Sequence, residues 1–589
     1  MSVQELITDH LDLWTGAVTH KRSAGRGLSG KSGKVELTGI KKLRELILEL
    51  AVRGKLVEQD PTDEPASVLL EKIAEEKARL VKEGKIKKSK KLPGIDEEEV
   101  ITELPTIWSW ARLGEITNYG VTDKAEPGEV EDTSWVLELE DIEKESSRLI
   151  QRVTYKERPF KSSKNRFQQD DVLYGKLRPY LDKVLVADRP GVCTTEIIPV
   201  RGFSGITSSY LRLSLKSPAF KIYANDSTHG MNLPRLGTDK ARLALIPVPP
   251  TEEQNRIVEK VDELLTLCDR LEQQIGDQLE AHEVLVDTLL DALTRSVDAA
   301  EVAENWARLA ENFDTLFTTE ASIDKLKQAI LQLAVMGKLV EQDPTDEPAS
   351  ALLEKIADEK ARLVKEGKIK KSKKPWEVAK DRLTQLPETW RWVALGELVS
   401  IMDAGWSPAC PPEPAGESEW GVLKTTSVQV MSYFQQENKR LPEGKKPKRQ
   451  YEVNSGDILI TRAGPKNRVG ISCWVDKTRP RLMISDKIIR FHLIDAAMSE
   501  PFICLCLNAG LTSQCLENAK SGMAESQMNI SQDKLKAAPI PLCPANEQHR
   551  IVAKVDELMA LCDRLKARLA EAGKTCTRLA EAVVEKGIH

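Results

Sequence analysis

The chain has 589 residues, 41% of them hydrophobic and 30% charged, with a formal net charge of −5; that length suits roughly three to four domains, each with its own core. No uninterrupted apolar run reaches about 18 residues, and MSVQELITDHLDLW lacks a basic region followed by an apolar stretch, so neither a membrane span nor a signal peptide is indicated and a cytoplasmic location is expected. The ten cysteines show no CxxC or Cys/His ligand spacing, which excludes a zinc-ribbon type of metal site and marks them as reduced core thiols.

Residues 1–38 read as a flexible N-terminal arm: a short apolar patch, Leu6 to Trp14, is followed by the Gly/Ser/Lys-rich HKRSAGRGLSGKSGK. Within it, residues 25–32 fit the G-x-x-x-x-G-K-S phosphate-loop pattern around Lys31. The buried strand before it and the helix after it, which would aim backbone amides at a phosphate, are both missing from the pattern. A mobile basic linker is the expected reading, and an NTP-binding enzyme using residues 25–32 is the rival.

Residues 39–103 form a first helical repeat. Leu43, Leu46, Ile47 and Leu50 recur at helical spacing, Gly54 marks a stop, and a second helix opens at Pro65 with Leu69, Leu70, Ile73, Leu80 and Val81 on one face. Leu50 to Lys91 returns at Leu333 to Lys374 with three changes in 42 positions. A period of 283 residues is a domain-scale duplication rather than a solenoid, and identity that extends to surface positions suggests pseudo-twofold symmetry or two copies of one partner. Glu75-Glu76-Lys77 resembles the end of a nuclease motif, but a helix face does not supply the convergent carboxylates that this chemistry needs.

A second repeated signature, LPTIWSWARLGEI from Leu104 and LPETWRWVALGEL from Leu386, opens two globular regions, 104–250 and 386–544. WVLELEDI, DDVLYGKLRPYLDKVLVA and TTEIIPVR are strand candidates in the first; WGVLKTTSV, GDILITRAG, RVGISCWV and DKIIRFHL are those in the second. Charge is segregated along them. Ala111 to Ser146 carries 3 Lys/Arg against 11 Asp/Glu, Ser147 to Leu243 carries 18 against 8, and Gln436 to Arg490 carries 14 against 6. Two basic lobes in a mildly acidic chain point to two polyanion-binding surfaces.

Each globular region ends in a Pro-rich turn that feeds a long helix, residues 251–300 and 545–589, with a helical connector and the second repeat at 301–385 between them. Ile257, Val261, Leu264, Cys268, Leu271 and Ile275, and likewise Ile551, Val555, Leu558, Cys562, Leu565 and Leu569, alternate steps of four and three, the seam of a coiled coil. The second seam can be followed through Ala572, Cys576, Leu579 and Val583. The fold expected is α+β: two strand-containing globular domains separated by long helices that form an antiparallel coiled coil, in a pseudo-twofold internal repeat. The alternative is that each long helix packs on its own domain.

The paired L-P-x-x-W-x-W-x-x-L-G-E frames, the DDVLYGKLRPYL and GDILITRAG blocks, and the two I-P-x-x-P-x-x-E-Q-x-R-I-V-x-K-V-D-E-L helix entries resemble the specificity subunits of Type I restriction-modification enzymes, with long repeats similar to the type IB subfamily. The resemblance implies a non-catalytic subunit whose two recognition domains each read half of a split sequence in double-stranded DNA. It implies helices that set the gap and dock two methyltransferase subunits, with restriction/translocase subunits in the full complex. It also implies that adenosylmethionine, ATP and Mg sit on partner subunits, with no cofactor and no metal in this chain. A stand-alone architectural or regulatory DNA-binding protein is the other rival.

Base edges are read by Arg, Lys, Asn or Gln, and further Lys and Arg neutralise phosphates. The DNA-binding candidates are Lys161, Lys164, Arg166, Lys176, Arg178, Tyr180 and Lys183 in the first domain. In the second they are Lys445, Lys446, Lys448, Arg449, Arg462, Lys466, Asn467 and Arg468. The seven histidines make no cluster, and no methyltransferase or helicase motif is present, so no catalytic residue is expected.

Overall fold

The duplicated stretch folds twice into the same helical hairpin, Thr38–Val52 with Ala66–Lys82 and Glu320–Val335 with Ala349–Lys365. In this computed structural model the chain is described except for residues 1–9, 17–18, 21–34, 87–90, 101, 231, 298, 370–377, 379–382, 495–496 and 589. The phosphate-loop pattern at 25–32 lies outside the described residues. The first helix of each hairpin stops at a glycine with positive φ, Gly54 at +67° and Gly337 at +70°. A side chain there would be strained, and its Cβ would also stand 2.4 Å from Pro105 or 2.6 Å from Pro387. In the turn that follows, Asp60 accepts from the Thr62 amide and hydroxyl at 2.8 and 2.7 Å, and Asp343 accepts from Thr345 at 2.8 and 2.6 Å. These local bonds close the Asp-Pro-Thr-Asp turn in the same way in both copies.

The chain divides into two compact units: residues 1–19, 36–277 and 573–589 in one, and 20–35 and 278–572 in the other. In the first unit the globular region opens and closes on one antiparallel pair, Ser109–Arg112 with Leu245–Val248. Between them lie a five-stranded mixed sheet, in the spatial order 123–125, 164–167, 191–193, 135–137, 153–154, and a three-stranded antiparallel sheet of Ile197–Val200, Val172–Gly175 and Val184–Val186. In the second unit Arg391–Ala394 pairs with Pro539–Leu542, and a four-stranded sheet runs 399–404, 488–493, 458–461, 472–474. The strand candidates are therefore all occupied by strands, and the architecture is α+β.

The two long helices are Thr251–Arg295 and Ala545–Ile588, 45 and 44 residues, each about 65 Å long at about 1.5 Å per residue. In the first unit Ile257, Val261, Leu264 and Cys268 are buried, and Leu271 and Ile275 pack beside them, against Ile40, Leu43, Leu46, Ile47 and Leu50 of the hairpin. Cys576, Ala580 and Val583 enter the same core. In the second unit Ile551, Val555 and Cys562, with Leu558, Leu565 and Leu569, share a core with Val286, Leu290 and Leu293 and with the Glu320–Val335 helix. The N-terminal half of each long helix and the C-terminal end of the other thus serve one core, with the first hairpin helix as their common partner. The four-three spacing marks a buried stripe that faces two helices at once.

Two expectations need correction. The arm is not flexible throughout: Leu11–Gly16 is helical and Trp14 is fully buried, because Gly39 has no Cβ and lets the Trp14 carbonyl approach within 2.1 Å of where one would stand. The second seam does not continue through Ala572 and Leu579. Leu579 is 52% exposed and Ala580 is buried in its place, because a 3.6-residue helix drifts against a strict heptad and the stripe moves by one position. Among the described residues no helix is long and apolar enough to cross a membrane.

Candidate nucleic-acid interface

The repeated E-Q-x-R at each long helix start builds the joint on which a globular domain rests. Glu253 is buried and accepts from Trp108 Nε1 at 2.9 Å and Gln59 Nε2 at 2.6 Å; Glu547 does the same with Trp390 at 3.0 Å and Gln342 at 2.6 Å. Burial pushes both carboxyls above the usual range against these donors. Gln254 accepts from the Thr207 amide and Gln548 from the Ser499 amide, both at 2.9 Å. Arg256 pairs with Asp63 at 2.6 Å and Arg550 with Asp346 at 2.7 Å. One motif therefore ties the hairpin turn, the W-x-W strand and the domain's helical layer together, twice. Lys77 and Lys360 donate to the carbonyls of Gly114 and Gly396 at 3.1 and 3.2 Å, so the apparent nuclease lysine is an anchor for L-G-E.

Beyond this joint, both domains carry the same ledge where the D-x-L strand ends. In the first, the Lys176 amide donates to the Glu196 carbonyl at 2.9 Å, and the Leu236 amide donates to the Lys176 carbonyl at 3.0 Å. In the second, the Arg462 amide donates to the Lys487 carbonyl at 2.8 Å, and the Ile530 amide donates to the Arg462 carbonyl at 2.9 Å. Three chain segments meet in each case, and a proline, Pro179 or Pro465, follows and turns the chain into a short 3₁₀ turn. The backbone is shared while the side chains differ: Lys176 faces the role of Arg462, Glu196 that of Lys487, Arg235 that of Asn529, and Tyr180 that of Lys466. Arg178 takes φ +53° as its amide donates to the Pro234 carbonyl at 2.7 Å, and this turns the segment outward.

The ledge gathers some of the sequence candidates. Among the described residues Lys176 and Arg462 are partly exposed and form no ion pair, Tyr180 is 53% exposed, and Lys466 approaches Glu525 at 3.4 Å. Asn467 is exposed in the same turn. Other candidates are held within their domains. Lys164 is buried against Glu138 and lies over Phe160, and Arg166 pairs with Glu129 at 2.9 Å. Lys183 donates to the Leu139 carbonyl at 2.6 Å, and burial lowers its pKa. Arg468 donates to Gln429, Thr425 and Val428 oxygens at 2.9, 2.7 and 2.7 Å, and burial lowers its pKa too. Lys161 is exposed, and Lys445, Lys446, Lys448 and Arg449 lie on an exposed stretch where Lys448 sits 4.7 Å from the Trp406 ring.

Sequence reading missed the third segment of the ledge, Thr228–Leu236 and Ser521–Ile530, and with it Arg235 and Asn529, and it did not single out Lys487 on the second segment. Arg235 is held by Glu196 at 3.0 Å. The strand of two residues that brings each segment in has no periodic signal; the one available cue was the repeated Gly-Met at 230 and 522. Lys216 also went unnoticed: it is buried in the helical layer and donates to Ser147 Oγ at 2.7 Å and Asp182 Oδ2 at 3.1 Å, which pins the segment after Tyr180. Desolvation lowers its pKa to about 8 despite the Asp182 carboxylate. Among the described residues no group of three His, Cys, Asp or Glu is placed to hold a metal.

Residues 387–572 match the family model described as the Type I restriction modification DNA specificity domain. The chain is 50% identical over 602 aligned positions to the Type I restriction enzyme EcoEI specificity subunit of Escherichia coli, and 39% identical over 606 to the EcoAI specificity subunit of the same organism, each covering 100% of both chains. A solved chain from a study of assembly and conformational transition in the type I R-M system superposes with a TM-score of 0.50 at 18% identity, covering 83% of this chain and 99% of that one.

Proposed function

Because the chain belongs to the family of Type I restriction-enzyme specificity subunits, a DNA-recognition and not a catalytic component that acts within a complex with other subunits, we propose that each of its two domains reads one half of a bipartite DNA sequence through its ledge. The observation that carries this reading is the shared pattern of backbone hydrogen bonds that joins three segments in each ledge under different side chains. A shared frame places a side chain at a base edge in the same way in both halves, and the different residues would select different bases. Lys176, Arg178 and Tyr180 are the first domain's readers, and Arg462, Lys466 and Asn467 are the second's. Exposed Lys161, Lys445, Lys446 and Arg449 serve phosphates, where position matters less than charge.

The duplicated hairpins offer the same exposed residues twice, among them Glu71 and Glu354, Lys72 and Lys355, and Arg79 and Arg362. This supports the docking of two copies of one methyltransferase subunit. Adenosylmethionine, ATP and Mg belong on the partner subunits, a cytoplasmic location suits that assembly, and the long helices set the gap between half-sites. Exchanging residues 104–250 for the corresponding domain of another family member tests the reading. In the reconstituted complex the methylated sequence should change in one half alone, and a change in both halves would defeat it.

A further inference from the structure

Met523 stands fully exposed, 105% of its reference area, at the tip of a turn that the fold holds firmly. Ser521 and Asn529 exchange backbone hydrogen bonds at 2.9 and 2.8 Å, the Gln527 amide donates to the Ala524 carbonyl at 2.9 Å, and the Lys466 amide donates to the Glu525 carbonyl at 2.7 Å. Gly522 permits the closure, since a Cβ there would stand 2.3 Å from the Gln527 carbonyl oxygen. The turn is thus bonded along one edge to the Arg462–Lys466 ledge, and a second pairing joins Ala463–Gly464 to Met528–Asn529. The first domain carries a similar paired turn at Thr228–Leu236, where Gly230 has φ +95° and Leu233 is 44% exposed.

Large apolar side chains in isolation on a surface need no explanation. Here one is carried on a restrained turn beside Arg462, Lys466 and Lys487, with Glu525 partly neutralised by Lys466 and Glu517 paired to Lys520. A partner that is anionic at its rim and apolar within is a nucleic-acid duplex, whose phosphates meet the cations while its stacked bases accept an apolar wedge. We propose that the Ser521–Asn529 turn is a third reading element of the second domain, and that Met523 packs on the bases of its half-site. This rests on the reading of DNA by the ledge.

The test uses the full chain and the duplex that the wild-type chain enriches from a randomised pool. Met523→Ala should weaken binding to that duplex roughly tenfold and leave binding to unselected duplex unchanged, and Met523→Leu should restore it. Arg462→Ala separates the two levels of the argument. If Arg462→Ala weakens binding to the enriched duplex and Met523→Ala does not, the wedge is overturned and the ledge stands. If neither has an effect, the wedge falls together with the ledge. If Met523→Ala leaves duplex binding intact and weakens capture of the methyltransferase subunit, the turn is a protein contact and the proposal is overturned.

Discussion

Trp108 donates its indole N–H to the buried Glu253 carboxylate at 2.9 Å, and 282 residues further along Trp390 makes the same bond to Glu547 at 3.0 Å. Each bond joins the entry strand of a recognition domain to the helix that leaves it. Two residues far apart in sequence and drawn from separately repeated motifs therefore define one joint.

Replacing either tryptophan by phenylalanine keeps most of the apolar volume and removes a donor to a buried carboxylate. Trp108→Phe and Trp390→Phe should each destabilise the unit that holds them by about 1–3 kcal/mol, read as urea unfolding of the full chain followed by amide exchange in each unit. A loss confined to one of the two variants would show that the joints are not equivalent.

Lys216 gives the first unit a pH-dependent stability. Its folded pKa, about 8, lies below that of an unfolded lysine, so the folded state has lost its proton first as pH rises. Stability should grow by about 1.5 kcal/mol from pH ~8 to pH ~9.5 and be lost as pH falls back through about 8. Lys216→Met should flatten that increment, whereas Lys221→Met, on the more exposed partner of Asp182, should retain it. Thermal unfolding of the three proteins at those two pH values checks the sign.

The readers should act on separate halves of the target. Lys176→Ala should relax one position in one half-site, and Arg462→Ala one position in the other, each at about 1–3 kcal/mol where the residue contacts a base. Lys445→Ala should instead weaken binding to every sequence and flatten its salt dependence. Selection of duplexes from a randomised pool by each variant distinguishes these outcomes.

The helices should act as the spacer ruler. Four residues inserted into the repeated helical region after Arg295 add about 6 Å of helix, against about 3.4 Å per base pair, so the gap between unchanged half-sites should lengthen by about one or two base pairs. Mapping methylated sites of the reconstituted complex with and without the insertion provides the measurement.

The duplication, the two long helices, the strands of both domains and most of the buried stripe were legible in the sequence, because each rests on local periodicity or on turn chemistry such as Gly54 and Asp60. Family membership was legible too, since repeated motifs such as E-Q-x-R recur at fixed places. Tertiary structure alone decided which cations face outward. Arg468 and Lys183 share with Arg462 and Lys176 a basic run at a strand end, and no periodic rule distinguishes them; the first two meet buried carbonyls, while the second two stand at the ledge. The ledge itself depends on Leu236 and Ile530, about 60 and 70 residues beyond the strands they join. Trp14 was misread because its partner is a missing Cβ at Gly39, and Leu579 because one residue of helical drift decides whether it or Ala580 meets the core. Contacts of that kind are set by distance in space, which neither composition nor spacing records.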